Sequence, residues 1–251
     1  MSEAAVSPSP APSVLPGWFG KMPHVGDFVS RRLPHDFVRA WDDWLQSGMA
    51  RARTDLGAAW LACYLVAPVR RFWLAPRLLG DTGWAGTLMP SVDGVGRHFP
   101  LTIAAALPDH TLAAVLAASA WYRAIDAAGR KVLDVHFSAD DLDFELAQVA
   151  PLPVDAAADP QAQQLAATWL APNRPLKETP GRSQVSLTPS GGLMRSSRLG
   201  GAQPISLWWC GDALQAARID CFGALPPAAA FGSLLRGPGD DGVPPVGAHT
   251  P

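Results

Sequence analysis

At 251 residues, with 48% hydrophobic and 17% charged residues and a net charge of −2, the chain can bury a sizeable core and lacks the basic field that a nucleic-acid surface needs. No apolar run approaches the roughly 18 residues of a membrane helix. Met1–Val14, largely Ser, Pro and Ala, has neither the basic start nor the compact apolar stretch of a secretory signal. The cysteines, Cys63, Cys210 and Cys221, show no C-x-x-C spacing and read as buried free thiols in a reducing cytoplasm.

Residues 1–15 read as a disordered lead-in. A short apolar strand at Trp18-Phe19 follows, and Gly20, Pro23 and Gly26 break regularity after it. Lys21, His24, Asp27, Arg31 and Arg32 crowd this segment, more charge than packing between two apolar elements requires. Pro34 suits the first turn of a helix, and Asp36 puts negative charge at the positive end of its dipole. Phe37, Trp41, Trp44, Leu45 and Met49 recur at helical spacing, so one face belongs to the core. Arg51 to Arg53 read as a polar break. Thr54 or Asp55 then caps a second short helix through Trp60, Leu61 and Tyr64, closed by Pro68.

Strands are expected at 69–74, 84–89 and 99–107, with links short enough to require antiparallel neighbours, and with Arg70 and Arg71 near a sheet edge. Asp93-Gly94 favours a tight turn, and Asp93, Arg97 and His98 cluster beside a strand end. Asp109 is the expected N-cap of a long helix, 111–128, ended by Gly129 and long enough to cross one sheet face. Ser138 caps another helix, 140–149, with acids in its first turn. A linker covers Pro151, Pro153 and 156–160, and 161–170 reads as a short helix. Strand signals resume at 184–187, 192–195, 204–209 and 218–222, either extending the first sheet or forming a second layer. A helical turn falls within 226–235, and 237–251 has the composition of a disordered tail.

Catalytic signatures are missing. There is no P-loop, no G-x-G-x-x-G, no G-x-S-x-G elbow and no H-E-x-x-H. The six histidines are scattered singly. Three readings of the charged loops stay open. They form a surface for a protein partner, comprising Lys21, His24, Asp27, Arg31, Arg32, Asp93, Arg97 and His98. Alternatively, loops 20–32 and 90–98 serve a small-molecule- or metal-dependent enzyme, in which His24, Asp27, Asp93 and His98 meet for acid–base or metal chemistry. Or Asp27–Arg97 or Asp93–Arg31 is a buried ion pair that only joins the loops.

Two stretches, P-G-W-F-G-K-M-P-H-V-G-D-F-V-S-R-R-L-P (16–34) and M-P-S-V-D-G-V-G-R-H-F-P-L-T (89–102), resemble the signature stretches of the TagF (ImpM) family of type VI secretion system-associated proteins. F-V-R-A-W-D-D-W-L (37–45) and R-F-W-L-A-P (71–76) fit the same pattern, and the resemblance is strongest over 16–130. It implies one TagF-like domain over 16–236. The fold would be α/β, a central antiparallel sheet flanked by helices, similar to longin or profilin domains. The implied function is cytoplasmic and non-enzymatic: negative regulation of type VI secretion after translation, through a forkhead-associated scaffold protein. It implies no cofactor, metal, nucleic acid or membrane insertion. The phosphatase domain fused to some relatives has no acidic metal-binding motif here to carry it. Among the motif positions, Gly20, Gly26 and Gly96 suit backbone shape, and Phe28 and Phe99 are expected in the core.

Overall fold

Three pairs of neighbouring aromatics, Trp18-Phe19, Phe72-Trp73 and Trp208-Trp209, lie on strands. Successive strand side chains point to opposite faces, so each pair supplies both sides of the sheet. Trp18, Trp73 and Trp209 enter one core, and Phe19, Phe72 and Trp208 enter the other. The computed structural model describes residues 15–156, 159–170, 183–187, 193–196, 205–216 and 218–236. The expected lead-in, apart from Leu15, and the expected tail lie outside the described residues.

The strands are β1 (Gly17–Gly20), β2 (Val29–Arg31), β3 (Arg70–Leu74), β4 (Gly83–Met89), β5 (Leu101–Leu107), β6 (Ser183–Leu187), β7 (Leu193–Ser196), β8 (Ser206–Trp209) and β9 (Ile219–Phe222). They form one antiparallel sheet in the order β2-β1-β5-β4-β3-β8-β9-β6-β7. The later strands therefore extend the first sheet. The helices are α1 (His35–Leu56), α2 (Trp60–Leu65), α3 (Leu112–Ala117), α4 (Ser119–Lys131), α5 (Ala139–Ala147), α6 (Pro160–Leu170) and α7 (Ala228–Leu234). Side chains of α1, α2 and α7 fill the core on one face, and those of α3 to α6 fill the core on the other. The expected antiparallel sheet flanked by helices is the observed architecture.

The aromatic stripe of α1 lies on the sheet as its spacing predicts. Trp41 is fully buried between Phe37, Trp44, Phe72 and Trp208, and its indole N–H donates to Thr102 Oγ1 at 2.8 Å. Truncating such a side chain to alanine costs about 3–5 kcal/mol. Trp44 donates to the Pro226 carbonyl at 2.7 Å, tying α1 to the turn before α7.

Several expectations are corrected. Arg51 to Arg53 do not break α1, which runs to Leu56. Ala52 continues the buried stripe, and Arg51 pairs with Asp55 at 2.8 Å one turn on, so the charges stabilise the helix. A 3-10 turn at Gly57–Ala59, rather than a Thr54 or Asp55 cap, leads into α2. Arg70 and Arg71 are buried on a central strand. Arg70 donates to the carbonyls of Ser233, Leu234 and Arg236 at the end of α7, and Arg71 donates to Asp126 and the Gly211 carbonyl. The long helix is two helices, with Thr111 rather than Asp109 as N-cap and a break at Ala118 (ψ 40°) that no Gly or Pro announces. Gly129 lies inside α4, facing Met89 and Ile103 of the sheet. Cys221 is buried, whereas Cys63 and Cys210 are partly exposed. The strand β2 went unread because it is three residues long.

Where α1 crosses α7, Gly48 leaves room for the Phe231 ring, and a Cβ there would run into it. Gly48→Ala is expected to lower stability by about 1–3 kcal/mol. Gly232→Ala in α7, where a Cβ would meet open space, is expected to raise it by up to about 1 kcal/mol. Urea unfolding midpoints check the pair, and equal midpoints would refute the close approach.

Candidate functional site

Antiparallel pairing sets Phe19 of β1 opposite Thr102 of β5. The loop leaving β1 therefore lies beside the loop entering β5, at one end of the sheet. These are residues 21–28 and 90–100, the two charged stretches of the sequence.

Asp93 joins them. The 93–97 turn closes when the Asp93 N–H donates to the Arg97 carbonyl and the Gly96 N–H to the Asp93 carbonyl, both at 3.0 Å. Gly96 takes a φ of 84°, a conformation that favours glycine. Asp93 Oδ1 accepts the backbone N–H of Val95 (3.1 Å) and of Arg97 (2.8 Å). Its Oδ2 accepts Lys21 Nζ (2.7 Å) and Arg97 Nε (2.6 Å). The Asp93 side chain is 0% exposed and that of Lys21 6%. Lys21 also lies over the Phe28 ring, 4.9 Å from its centre. Burial pushes the Asp93 carboxyl up, but the bonds from Lys21, Arg97 and Val95 outweigh it and hold the group below the ordinary carboxylate range.

Further bonds lace the loops together. Ser91 Oγ donates to the Lys21 carbonyl (2.7 Å), the Gly94 N–H to the Val25 carbonyl (3.1 Å), and Arg97 Nη2 to the Gly26 carbonyl. Tyr64 of α2 donates to the Ser91 carbonyl (2.8 Å) and accepts its N–H (3.0 Å). His98 sits edge-on to Trp60 and Tyr64, with ring centres 5.8 and 5.5 Å away.

A second ion cluster ties the far end of the first loop to α5. Asp143 accepts Trp18 Nε1, Arg31 Nη1 and Arg32 Nη1, each at 2.8 Å, and Arg31 also reaches Asp140. Burial raises the Asp143 carboxyl, and the Trp18 and arginine contacts bring it to a net lowering.

The eight candidate residues thus separate. Lys21 and Asp93 are interior struts and cannot be contact surface as expected. Arg31 and Arg32 are engaged with α5. Arg97 has one side in the Asp93 network and 59% of its side chain exposed. His24 and Asp27 are exposed, and Asp27 accepts the Phe28 N–H at 2.8 Å. Neither Asp27–Arg97 nor Asp93–Arg31 is the pair that joins the loops; Lys21–Asp93–Arg97 is. Among the described residues no three His, Cys, Asp or Glu side chains gather as a metal site requires, so His24, Asp27, Asp93 and His98 do not form one. Phe99 is core at 6% exposure, but Phe28, expected there, is 43% exposed and stacks on Phe19 from outside. Sequence reasoning missed Asp143 and Tyr64. Their partners lie 112 and 27 residues away in the chain, and each residue fits a helix pattern without its partner.

Residues 17–149 match the TagF N-terminal domain family, described as type VI secretion system-associated. The chain belongs to the TagF family. A search of curated proteins gave no match. Among solved structures, the crystal structure of PA0076 from Pseudomonas aeruginosa PAO1 is similar, at 33% identity and a TM-score of 0.67. That match covers 94% of this chain and 100% of that one. In this TagF-family chain the two signature stretches are two halves of one bonded unit. Lys21, Ser91, Asp93 and Arg97 supply its side chains, and Gly26 and Gly96 its backbone.

Asp93 and Asp143 both titrate below the ordinary unfolded value of about 3.9. A depressed carboxyl stabilises the fold fully above that value, and the contribution is lost as pH falls toward the folded one. Melting temperature is expected to drop between about pH 5 and pH 2. Asp93→Asn is expected to melt lower at neutral pH and to show a shallower acid drop, with the Asp143 share remaining. Thermal melts across this range measure it, and an unaltered acid slope in the variant would refute the role given to Asp93.

Proposed function

We propose that this TagF-family chain is a cytoplasmic, non-enzymatic regulator that restrains a type VI secretion system after translation. It does so by binding a component of the machine, the forkhead-associated scaffold protein. The observation that carries the proposal is the family match over residues 17–149.

The geometry favours binding over catalysis at the two loops. Both oxygens of Asp93 are committed to N–H donors, and a carboxylate held ionised by two cations is a poor proton acceptor. Around this fixed centre His24, Asp27, Val95 and Arg97 are presented outward on an ordered frame.

The test is capture of partners from the protein's own cytoplasm, with mass spectrometric identification. Wild-type protein is expected to retain the scaffold or other secretion components. Asp27→Arg, at an exposed position, is expected to retain less while melting as wild type does. Capture of no secretion component by folded wild-type protein would overturn the regulator reading.

A further inference from the structure

The outer side of the same unit forms a cleft with α1. Gln46, Ala50 and Arg53 fall at i, i+4 and i+7, one stripe along the exposed shoulder of the helix. Ala50, small between two long side chains, leaves a gap of about 440 Å³. Arg97 and His98 stand across it, and the buried Met49 and Phe99 lie beneath.

The charge in this cleft is one-sided. No carboxylate lines it. Asp93 is engaged by Lys21 and Arg97, Asp42 Oδ2 by Gln46 at 2.6 Å, and Asp55 by Arg51 at 2.8 Å. Arg53 is exposed, and among the described residues no carboxylate pairs with it. Its guanidinium lies over the Trp60 ring at 4.4 Å, which orients it while leaving its N–H edges open. Trp60 stacks on Tyr64, and His98 meets both edge-on, so the cationic rim stands on a packed aromatic block.

We propose that this cleft takes an acidic, extended segment of a partner protein. Its carboxylates lie against Arg53 and Arg97, and one apolar side chain rests on Met49 and Phe99. Charge complementarity selects this occupant: two exposed guanidiniums flank an apolar floor, and acids flanking one apolar residue match that order. That the partner is a secretion component rests on the regulator reading; the chemistry of the cleft does not.

The probe is a short fluorescein-labelled peptide of Asp and Glu around a single Leu, followed by anisotropy on the full chain. Matched peptides replace the acids with Gln or the Leu with Ser. The acidic Leu peptide is expected to bind best and to weaken as salt rises, because exposed charges are screened within about 10 Å at 0.1 M. Arg53→Glu is expected to weaken it about tenfold. Ala50→Trp fills the gap without altering charge and is expected to abolish binding, which keeps the test decisive if Arg53→Glu is poorly folded. Equal binding of the acidic and neutral peptides, or binding unaltered in Ala50→Trp, overturns the proposal. Displacement by inorganic phosphate or ATP at comparable concentration would assign the cleft to a small anion and also overturn it. Partner capture by the Ala50→Trp variant separates the two claims. Secretion components retained equally by wild type and variant would overturn the cleft and leave the regulator reading standing. Peptide binding as expected, with no component captured, would support the cleft and overturn the regulator reading.

Discussion

Burial of the central strands β3, β4, β5 and β8 on both faces governs the rest of this structure. A strand packed on both sides has no solvated face on which to place a polar residue, so a polar side chain within it costs free energy unless a partner reaches it. Thr102 accepts the Trp41 indole N–H, Arg70 takes the last carbonyls of α7, and Arg71 takes Asp126 from α4. These bonds join layers that the apolar contacts alone would hold less specifically. At one end of the sheet two charged segments meet and become the candidate site.

How a buried carboxylate behaves there depends on how many donors reach it. Burial raises the pKa of both Asp93 and Asp126. Asp126 remains raised because Arg71 contacts only Oδ2, and Oδ1 is buried with no hydrogen-bond partner. Asp93 ends lowered because two donors reach each of its oxygens. Two similar ion pairs in one protein thus differ in sign. The saturated one is where the backbone must be held in a fixed shape, under loops that carry the exposed residues.

Local pattern carried much of this fold in the sequence. The α1 stripe, the antiparallel strands of the first half and the Ser138 cap follow from spacing and short links, and Ser138 does accept the Asp141 N–H. What failed locally was decided by distant partners. Arg70 and Arg71 look like edge residues until the end of α7 and Asp126 are brought to them. Ala118 breaks a helix that its own residues would continue. The candidate site was legible as two charged loops, but not as a set of bonds. Lys21 and Asp93, 72 residues apart, gave no sign in sequence that they neutralise one another. Arg53 looked like part of a polar break, and only the fold sets it over Trp60.

The strand at the outer margin of the sheet has a further bearing. An uncovered margin presents free N–H and C=O groups to which another chain can add a strand. Here β2 is only three residues long, and Arg32 at its end takes a φ of 58°, turning the backbone out of line. Arg31 and Arg32 are drawn onto Asp140 and Asp143 of α5. The same cluster that anchors the first loop therefore leaves little template on that side for chain-to-chain growth, which guards a protein so rich in buried aromatics against self-association through its sheet.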